Sequence, residues 1–472
     1  DGRLHAEVGA RGLNDDIRAG LANGRLTKIR VIGQGTAAVA GRSCASILEE
    51  LSDGRLDIDS LTATELSGFQ LTADMSDTLV VAVSQSGTTT DTNRTVDLVR
   101  SRGAKVVAIV NRRGSDLCDK ADSVIFTSDG RDVEMSVAST KAFYAQVAAG
   151  VLLACAVSEA AGVGSSQRRH ELLASMRDIP AAMRELLATR HAIGDIARRL
   201  APSKRYWAVV GNGPNSIAAH EIRIKLSELC YKSISCDITE DKKHIDLSSE
   251  PLILVCAAGL RGSTADDVAK EVAIYRAHKA TPIVIAHDAR QRYSHAVAVL
   301  EVPDIDPSLA FVMSAMVGHV FGYEAARAID DLALPLREAR EVVENAVTRH
   351  SSADGVLREV RSGIVTPWER FGESLRSGQF DGHLEASTAL RVASMMRIVA
   401  MENSSAAAIE RFQAETGKIG TPAAVLDDLT EALTRGIEEL TRPIDAIKHQ
   451  AKTVTVGISR SDEGVMDRHL VR

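Results

Sequence analysis

The sequence predicts an α/β protein: two tandem doubly wound parallel-sheet domains, with a helical insertion near the C-terminus. Three observations carry that expectation. From Lys28 onward, short β-branched runs alternate with amphipathic stretches of helical length, the pattern of strands covered by helices on both faces. The pattern then recurs further along the chain, the mark of a duplicated unit. Beyond about Asp330 the strands stop, while helical patterns with charged faces continue.

In the first unit, strands are expected at Ile29–Ile32, Thr78–Val83, Val106–Val110 and Ser123–Phe126. Helices are expected at Ala38–Leu51, Thr89–Ser101 and Val137–Ala161, with Gly103 closing the second of them. The run Arg30-Val31-Ile32-Gly33-Gln34-Gly35-Thr36 is echoed by Trp207-Ala208-Val209-Val210-Gly211-Asn212-Gly213-Pro214, and Asp77 to Asn111 is echoed by Glu250 to His287. A helical connector falls near Glu171–Leu200, and residues 335–450 read as helices broken at 363–367 and 417–422. The expected divisions are a lead-in at 1–26, a first domain at 27–165, a connector at 166–203, a second domain at 204–335, a helical insertion at 336–447 and a tail at 448–472.

Composition narrows the function classes. With 472 residues, 45% hydrophobic and only 3% aromatic, the chain suits several cores packed mainly by aliphatic side chains. Its net charge of −7 argues against general nucleic-acid binding, which needs a basic surface that releases counterions. No apolar run is read as approaching the roughly 18 residues that span a bilayer, and a soluble, cytoplasmic protein is expected. Six cysteines lie dispersed without CxxC or paired-histidine spacing, so neither a metal site nor a disulfide framework is expected. Both ends look cut, suggesting a piece of something longer.

The candidate binding element is Ser84-Gln85-Ser86-Gly87-Thr88-Thr89-Thr90, directly after a buried strand and at the start of a helix. Helix N-termini present unpaired N–H groups and partial positive charge, so a hydroxyl-rich turn there can surround a phosphate with donors. Ordinary capping needs one such hydroxyl; this turn carries many more. The corresponding turn of the second repeat, Cys256-Ala257-Ala258-Gly259, lacks them, so one phosphate site is expected per chain. Gly33-Gln34-Gly35-Thr36 forms another tight strand-to-helix turn, but it lacks the third glycine of a dinucleotide loop. No cofactor is expected.

The hydroxyl turn, followed by Val137-Ala138-Ser139-Thr140-Lys141-Ala142-Phe143, resembles the sugar isomerase (SIS) domain. More specifically it resembles the isomerase half of the glutamine:fructose-6-phosphate amidotransferase family, over about residues 27–335 and again at 448–456. That resemblance implies tandem SIS-type, flavodoxin-like domains and a sugar-phosphate substrate. It implies that Thr36, Ser84, Gln85, Ser86, Thr89, Val137, Ser139 and Lys141 bind the substrate. It further implies that Glu228 moves the proton between sugar C1 and C2, with Lys225 as its electrostatic partner. Taken alone, a Lys/Glu pair three apart on one helical face is an ordinary solvated ion pair.

The resemblance also implies that His244, sixteen residues beyond Glu228, opens the sugar ring from a neighbouring subunit, hence a homodimer. In Ala451-Lys452-Thr453-Val454-Thr455-Val456, the resemblance implies that Lys452 forms an imine with the C2 ketone. A free lysine must lose its proton to do so, at a cost of about 4.6 kcal/mol at pH 7. Ammonia would come from a glutaminase domain or subunit, or from solution. The chain departs from the family pattern at Ala37, in the loop Thr239–Asp246, in the long helical stretch before Lys452, and in running past Val456. Alternative readings are a glucosamine-6-phosphate deaminase, a plain phosphosugar isomerase, or a non-catalytic sugar-phosphate sensor.

Overall fold

The computed structural model describes residues 3–129, 138–244, 247–287 and 291–444. The first unit opens with α1 (Asp15–Ala22), β1 (Lys28–Gly33), α2 (Thr36–Ser52), β2 (Asp57–Thr62) and the single turn α3 (Ala63–Glu65), which continues as a π-turn at Leu66–Gln70. It goes on through β3 (Thr78–Ser84), α4 (Thr90–Arg100), β4 (Lys105–Val110), α5 (Asp116–Lys120), β5 (Ser123–Phe126) and α6 (Lys141–Ala160). The strands pair in parallel in the order β2-β1-β3-β4-β5.

Helices α7 (Ser166–Ala188) and α8 (Arg190–Leu200) lead to the second unit. It comprises β6 (Trp207–Gly211), α9 (Asn215–Cys230), β7 (Ile234–Asp237), α10 (Thr239–Lys242), β8 (Leu252–Cys256), α11 (Gly262–Ala277), β9 (Thr281–Ala286), β10 (Ala298–Glu301) and α12 (Phe311–Asp331). Its parallel order, β7-β6-β8-β9-β10, repeats that of the first unit strand for strand. Both are the flavodoxin-like doubly wound order. The duplication extends to single backbone angles: Gly35 and Gly213 share φ +55, Gly87 and Gly259 have +67 and +73, and the helix-ending Asp53 and Tyr231 have +49 and +52.

Strand alternation distributes two faces to two cores. Leu79, Val81 and Val83 of β3, with Leu252, Leu254 and Cys256 of β8, join one core shared by both units. Val80 and Ala82 face a separate outer core, as do Ile253 and Val255 on the second sheet. Helices α2, α6, α9 and α12 fill the shared core, and small residues let them approach. A Cβ at Gly318 of α12 would stand 2.2 Å from Ile222 of α9, and one at Gly150 of α6 would stand 3.0 Å from Cys44 of α2.

Three sequence expectations need correction. Strand β2 was not expected; it is an edge strand whose Asp57-Ile58-Asp59-Ser60-Leu61-Thr62 run is only partly buried, so it never reads as a continuous apolar run. The helix expected from Val137 begins at Lys141, because Ser139 and Thr140 favour the non-helical approach to a helix over its interior. Helix α6 is also long and apolar enough by composition to cross a membrane, yet 72% of that stretch is buried inside the fold. It is a core helix of the shared interior.

Six helices follow: α13 (Leu334–Arg349), α14 (Ala353–Gly363), α15 (Val365–Arg376), α16 (Ala386–Met401), α17 (Ser405–Thr416) and α18 (Pro422–Leu440). They enclose a core of their own, where Phe371 and Phe380 stack with ring centroids 4.9 Å apart. The breaks expected from glycine and proline fall between α14 and α15 and between α17 and α18, where Gly417 takes φ +69. Asp330, at the end of α12, ties the two ends of this helical region together. Its carboxylate accepts from Arg337 at 2.8 and 2.9 Å and from the Arg442 backbone N–H at 2.9 Å. The Arg442 Nε donates to the carbonyl of Cys230 at 3.2 Å, so the chain leaves the helical region at the C-terminal end of α9.

Candidate active site

In a doubly wound sheet the crevice for ligands opens at the carboxyl ends of the strands where the order reverses. In the first unit that point lies between β1 and β3, flanked by the Gly33–Thr36 and Ser84–Thr90 turns. Gly87 is required: its φ is +67, and a Cβ there would stand 2.0 Å from Ser115 Oγ. Ser84 is buried, and its hydroxyl accepts the Gly87 N–H at 3.0 Å and lies 3.4 Å from Thr89 Oγ1. Ser86 Oγ accepts from the Thr88 N–H at 3.2 Å and from its hydroxyl at 3.0 Å. Two serines of the expected binding set therefore also hold the shape of the turn.

Thr89 occupies the N-cap position of α4, but its hydroxyl makes no capping bond; the same holds for Ser115 and Thr189, whereas Asn14, Ser165, Ser352, Ser404 and Thr421 cap their helices. The first-turn N–H groups of α4 thus keep their donors unclaimed by a side-chain cap. Gly35 begins α2 in the same uncapped way, and Thr36 is the first helical residue, partly buried beside it. Gln85 is partly buried, its backbone carbonyl accepting from the N–H groups of Asn111 and Arg112 at 3.2 and 3.3 Å. Asn93, missed by sequence reasoning, donates to the carbonyls of Gly87 and Thr89, both at 3.1 Å. Its signal was an amide one turn into the helix, where backbone carbonyls of the turn lie in reach.

The strand-to-helix turns of the two repeats differ in how their polar side chains are satisfied. In the second, Asn212 exchanges two hydrogen bonds with Thr239 at 2.7 and 3.0 Å, and Asn215 bonds Ala258 at 2.7 Å and Ser314 at 2.9 Å. In the first, Gln34 stands where Asn212 does, and its buried Nε2 has no protein partner. Thr92 Oγ1 and Asn93 Oδ1 in the first turn of α4 are likewise buried and unpartnered. Buried polar atoms of this kind carry a desolvation cost unless a ligand or water meets them. The second unit also holds buried unpartnered atoms, Asp237 Oδ2, Glu271 Oε2 and the Tyr293 hydroxyl, so the contrast is confined to the strand-to-helix turns themselves.

Helix α9 carries the second cluster. A solvated ion pair is the ordinary outcome for Lys225 and Glu228, and the structure corrects it: Lys225 is 1% exposed. Its Nζ lies 2.9 Å from Glu228 Oε2 and 3.8 Å from Glu221 Oε1. Glu221, four residues before Lys225 on the same face, is fully buried and was missed by sequence reasoning. Its Oε1 lies 3.3 Å from His319 Nε2 on α12, and its Oε2 has no partner. Glu228 alone of the three reaches solvent, its side chain 27% exposed. The arrangement holds one cation between two carboxylates and presents one of those carboxylates outward.

His244 follows α10, side chain 69% exposed, with Nε2 3.6 Å from Glu240. No described contact brings it to Glu228 within the chain. Ser139 is partly buried just before α6 and Lys141 is exposed as its first residue. Val137 and Lys452 lie outside the described residues.

Residues 25–156 match the SIS domain model, and the two α/β units of the chain share one topology. The particular likeness is to glutamine–fructose-6-phosphate aminotransferase (isomerizing). The Thermus thermophilus protein is 30% identical over 330 residues, 69% of this chain and 52% of that one. The Corynebacterium efficiens protein is 31% identical over 305 residues, 63% and 48%. The chain thus spans about half the length of these curated relatives. Its fold is similar to the C-terminal domain of glucosamine-fructose-6-phosphate aminotransferase from Francisella tularensis, with TM-score 0.60 and 20% identity over 68% of this chain and 90% of that one. It is also similar to tagatose-6-phosphate ketose/aldose isomerase from Escherichia coli, with TM-score 0.51 and 18% identity over 67% and 88%.

Proposed function

We propose that this chain is a ketose-phosphate amino-isomerase that converts fructose 6-phosphate and ammonia to glucosamine 6-phosphate. The observation that carries this reading is the burial of Lys225 against Glu228. A buried cation costs several kcal/mol of desolvation unless paired, and surface solvation offers no reason to keep it. A carboxylate fixed by such a cation and still open to solvent is suited to moving a proton between adjacent sugar carbons.

In this mechanism the α4 N-terminus and the Ser84–Thr89 hydroxyls hold the phosphate, with Thr36, Val137, Ser139 and Lys141 lining the sugar. His244, exposed on its loop, opens the ring in a neighbouring subunit of a homodimer. The Lys452 amine attacks C2 and expels water as an imine; ammonia then displaces the lysine, and Glu228 takes the proton from C1 and returns it to C2, giving the 2-amino aldose. The anchoring of Arg442 supports a role for Lys452. It lies ten positions beyond Arg442, and ten extended residues reach about 33 Å. The span starts at Cys230, two residues after Glu228.

The test is borohydride reduction in the presence of fructose 6-phosphate, followed by mapping of the modified lysine. A hexitol adduct on Lys452 is expected. Turnover of fructose 6-phosphate with ammonium by the Lys452→Ala variant at the wild-type rate would refute the assignment.

A further inference from the structure

The Lys225–Glu228 pair does not end at α9. Glu221 Oε1 lies 3.3 Å from His319 Nε2 on α12, and His319 Nδ1 lies 2.8 Å from the Tyr144 hydroxyl on α6. The His319 side chain is 8% exposed, and its ring meets Tyr144 and Phe143 edge-on at centroid distances of 5.4 and 6.1 Å. Tyr144 stands one turn beyond Lys141 on α6, the helix that follows the sugar-lining Ser139-Thr140-Lys141 segment. A continuous polar chain therefore crosses the shared, otherwise apolar core of the two units. It joins the helix of one to the Lys225–Glu228 pair of the other.

The direction of the hydrogen bonds follows from the groups. Burial, with the Glu221 carboxylate adding to it, holds the Tyr144 phenol well above its ordinary range, so it remains a donor. A carboxylate only accepts, so the Nε2 facing Glu221 carries the ring proton, and Nδ1 accepts from the Tyr144 hydroxyl. This is the bonding that fixes an ionised carboxylate in one rotamer beside a lysine. Partly satisfied polar chains in a core are costly, and this one is retained at a point where helices α6, α9 and α12 meet.

We infer that Tyr144 and His319 are positioning residues: they lock Glu221 beneath Lys225, and through it set where Glu228 stands relative to a sugar held near α6. They touch no substrate themselves. The inference rests on the proposed amino-isomerase reading and deepens it.

The experiment compares His319→Gln, His319→Leu and Tyr144→Phe with the wild type, using fructose 6-phosphate with ammonium. Gln carries a donor and an acceptor and can keep both bonds, whereas Leu keeps only bulk. With one charge-assisted hydrogen bond lost, kcat of His319→Leu is expected to fall about tenfold or more, and KM to move less than about threefold. His319→Gln should recover most of that loss. Equal kcat losses in Gln and Leu, or a change confined to KM, would overturn the inference. A wild type that converts no ketose phosphate refutes the proposed function, and a second readout then decides the relay. In 15N-histidine NMR of the intact chain, an Nε2-protonated His319 whose Nδ1 signal shifts in Tyr144→Phe is expected. An Nδ1-protonated ring, or no shift, overturns it.

Discussion

The duplicated fold supplies its own control for the turn proposed to hold phosphate. Gly87 and Gly259 occupy the same place in the two repeats, with φ +67 and +73. A Cβ at Gly87 would stand 2.0 Å from Ser115 Oγ, 2.6 Å from its Cβ and 3.0 Å from Val110; one at Gly259 would stand 2.6 Å from Ala310 Cβ and 3.1 Å from Pro307 Cα. Alanine in the left-handed region costs about 1–2 kcal/mol, and overpacking adds about 1–3 kcal/mol. Gly87→Ala and Gly259→Ala should therefore each lose roughly 2–5 kcal/mol in chemical denaturation. Binding separates them. Shifting the Gly87 turn misaligns one or two charge-assisted bonds to a phosphate, so affinity for fructose 6-phosphate by calorimetry should fall about 10- to 100-fold. Gly259→Ala should bind within about twofold of wild type. If Gly87→Ala does not fold, Ser86→Ala replaces it in the binding arm, with a loss in the same direction. Equal losses in the two repeats, or none in the first, would refute the assignment of the phosphate to the first crevice.

Other outcomes test other links. Lys225→Met strands two carboxylates and should destabilise the fold by about 3–5 kcal/mol. The double variant Lys225→Met/Glu221→Gln should recover part of that stability without recovering turnover, and recovered turnover would exclude Lys225 from the chemistry. His383 is held neutral, its pKa pushed down to about 2 by burial first and then by Lys232 and Arg442. The unfolded chain binds that proton below about pH 6.5, so this histidine's contribution to stability is present above that pH and is lost as the medium is acidified. By pH 4.5 the loss approaches about 2.7 kcal/mol, and His383→Gln should flatten the acid limb by up to that amount in urea titrations. The chain alone should hydrolyse no glutamine; release of glutamate from glutamine by the purified chain would show otherwise.

Sequence reading succeeded where a single local pattern determines the outcome. The apolar runs Leu79–Val83 of β3 and Val106–Val110 of β4, and the Gly87 turn after Ser84, each announce their own conformation. The edge strand β2 escaped because alternating aspartates at Asp57 and Asp59 obscure a strand that is hydrogen-bonded on one side only. Lys225 was legible as a residue but not as a buried one. Its burial is decided by α12, nearly a hundred positions away, which packs against α9 through Gly318 and Ile222. Glu221, His319 and Tyr144 meet only because three helices from two repeats converge, and no spacing in the chain encodes that meeting. Asn93 and Gln34 carried signals too weak to distinguish from ordinary polar positions until their hydrogen bonds were in view.

The knot of bonds at Asp330 makes the six-helix region a graft with its two cut ends side by side. Such a graft lengthens the polypeptide by more than a hundred residues while its two ends stay bonded to one carboxylate. Distance along the chain then ceases to measure distance in space.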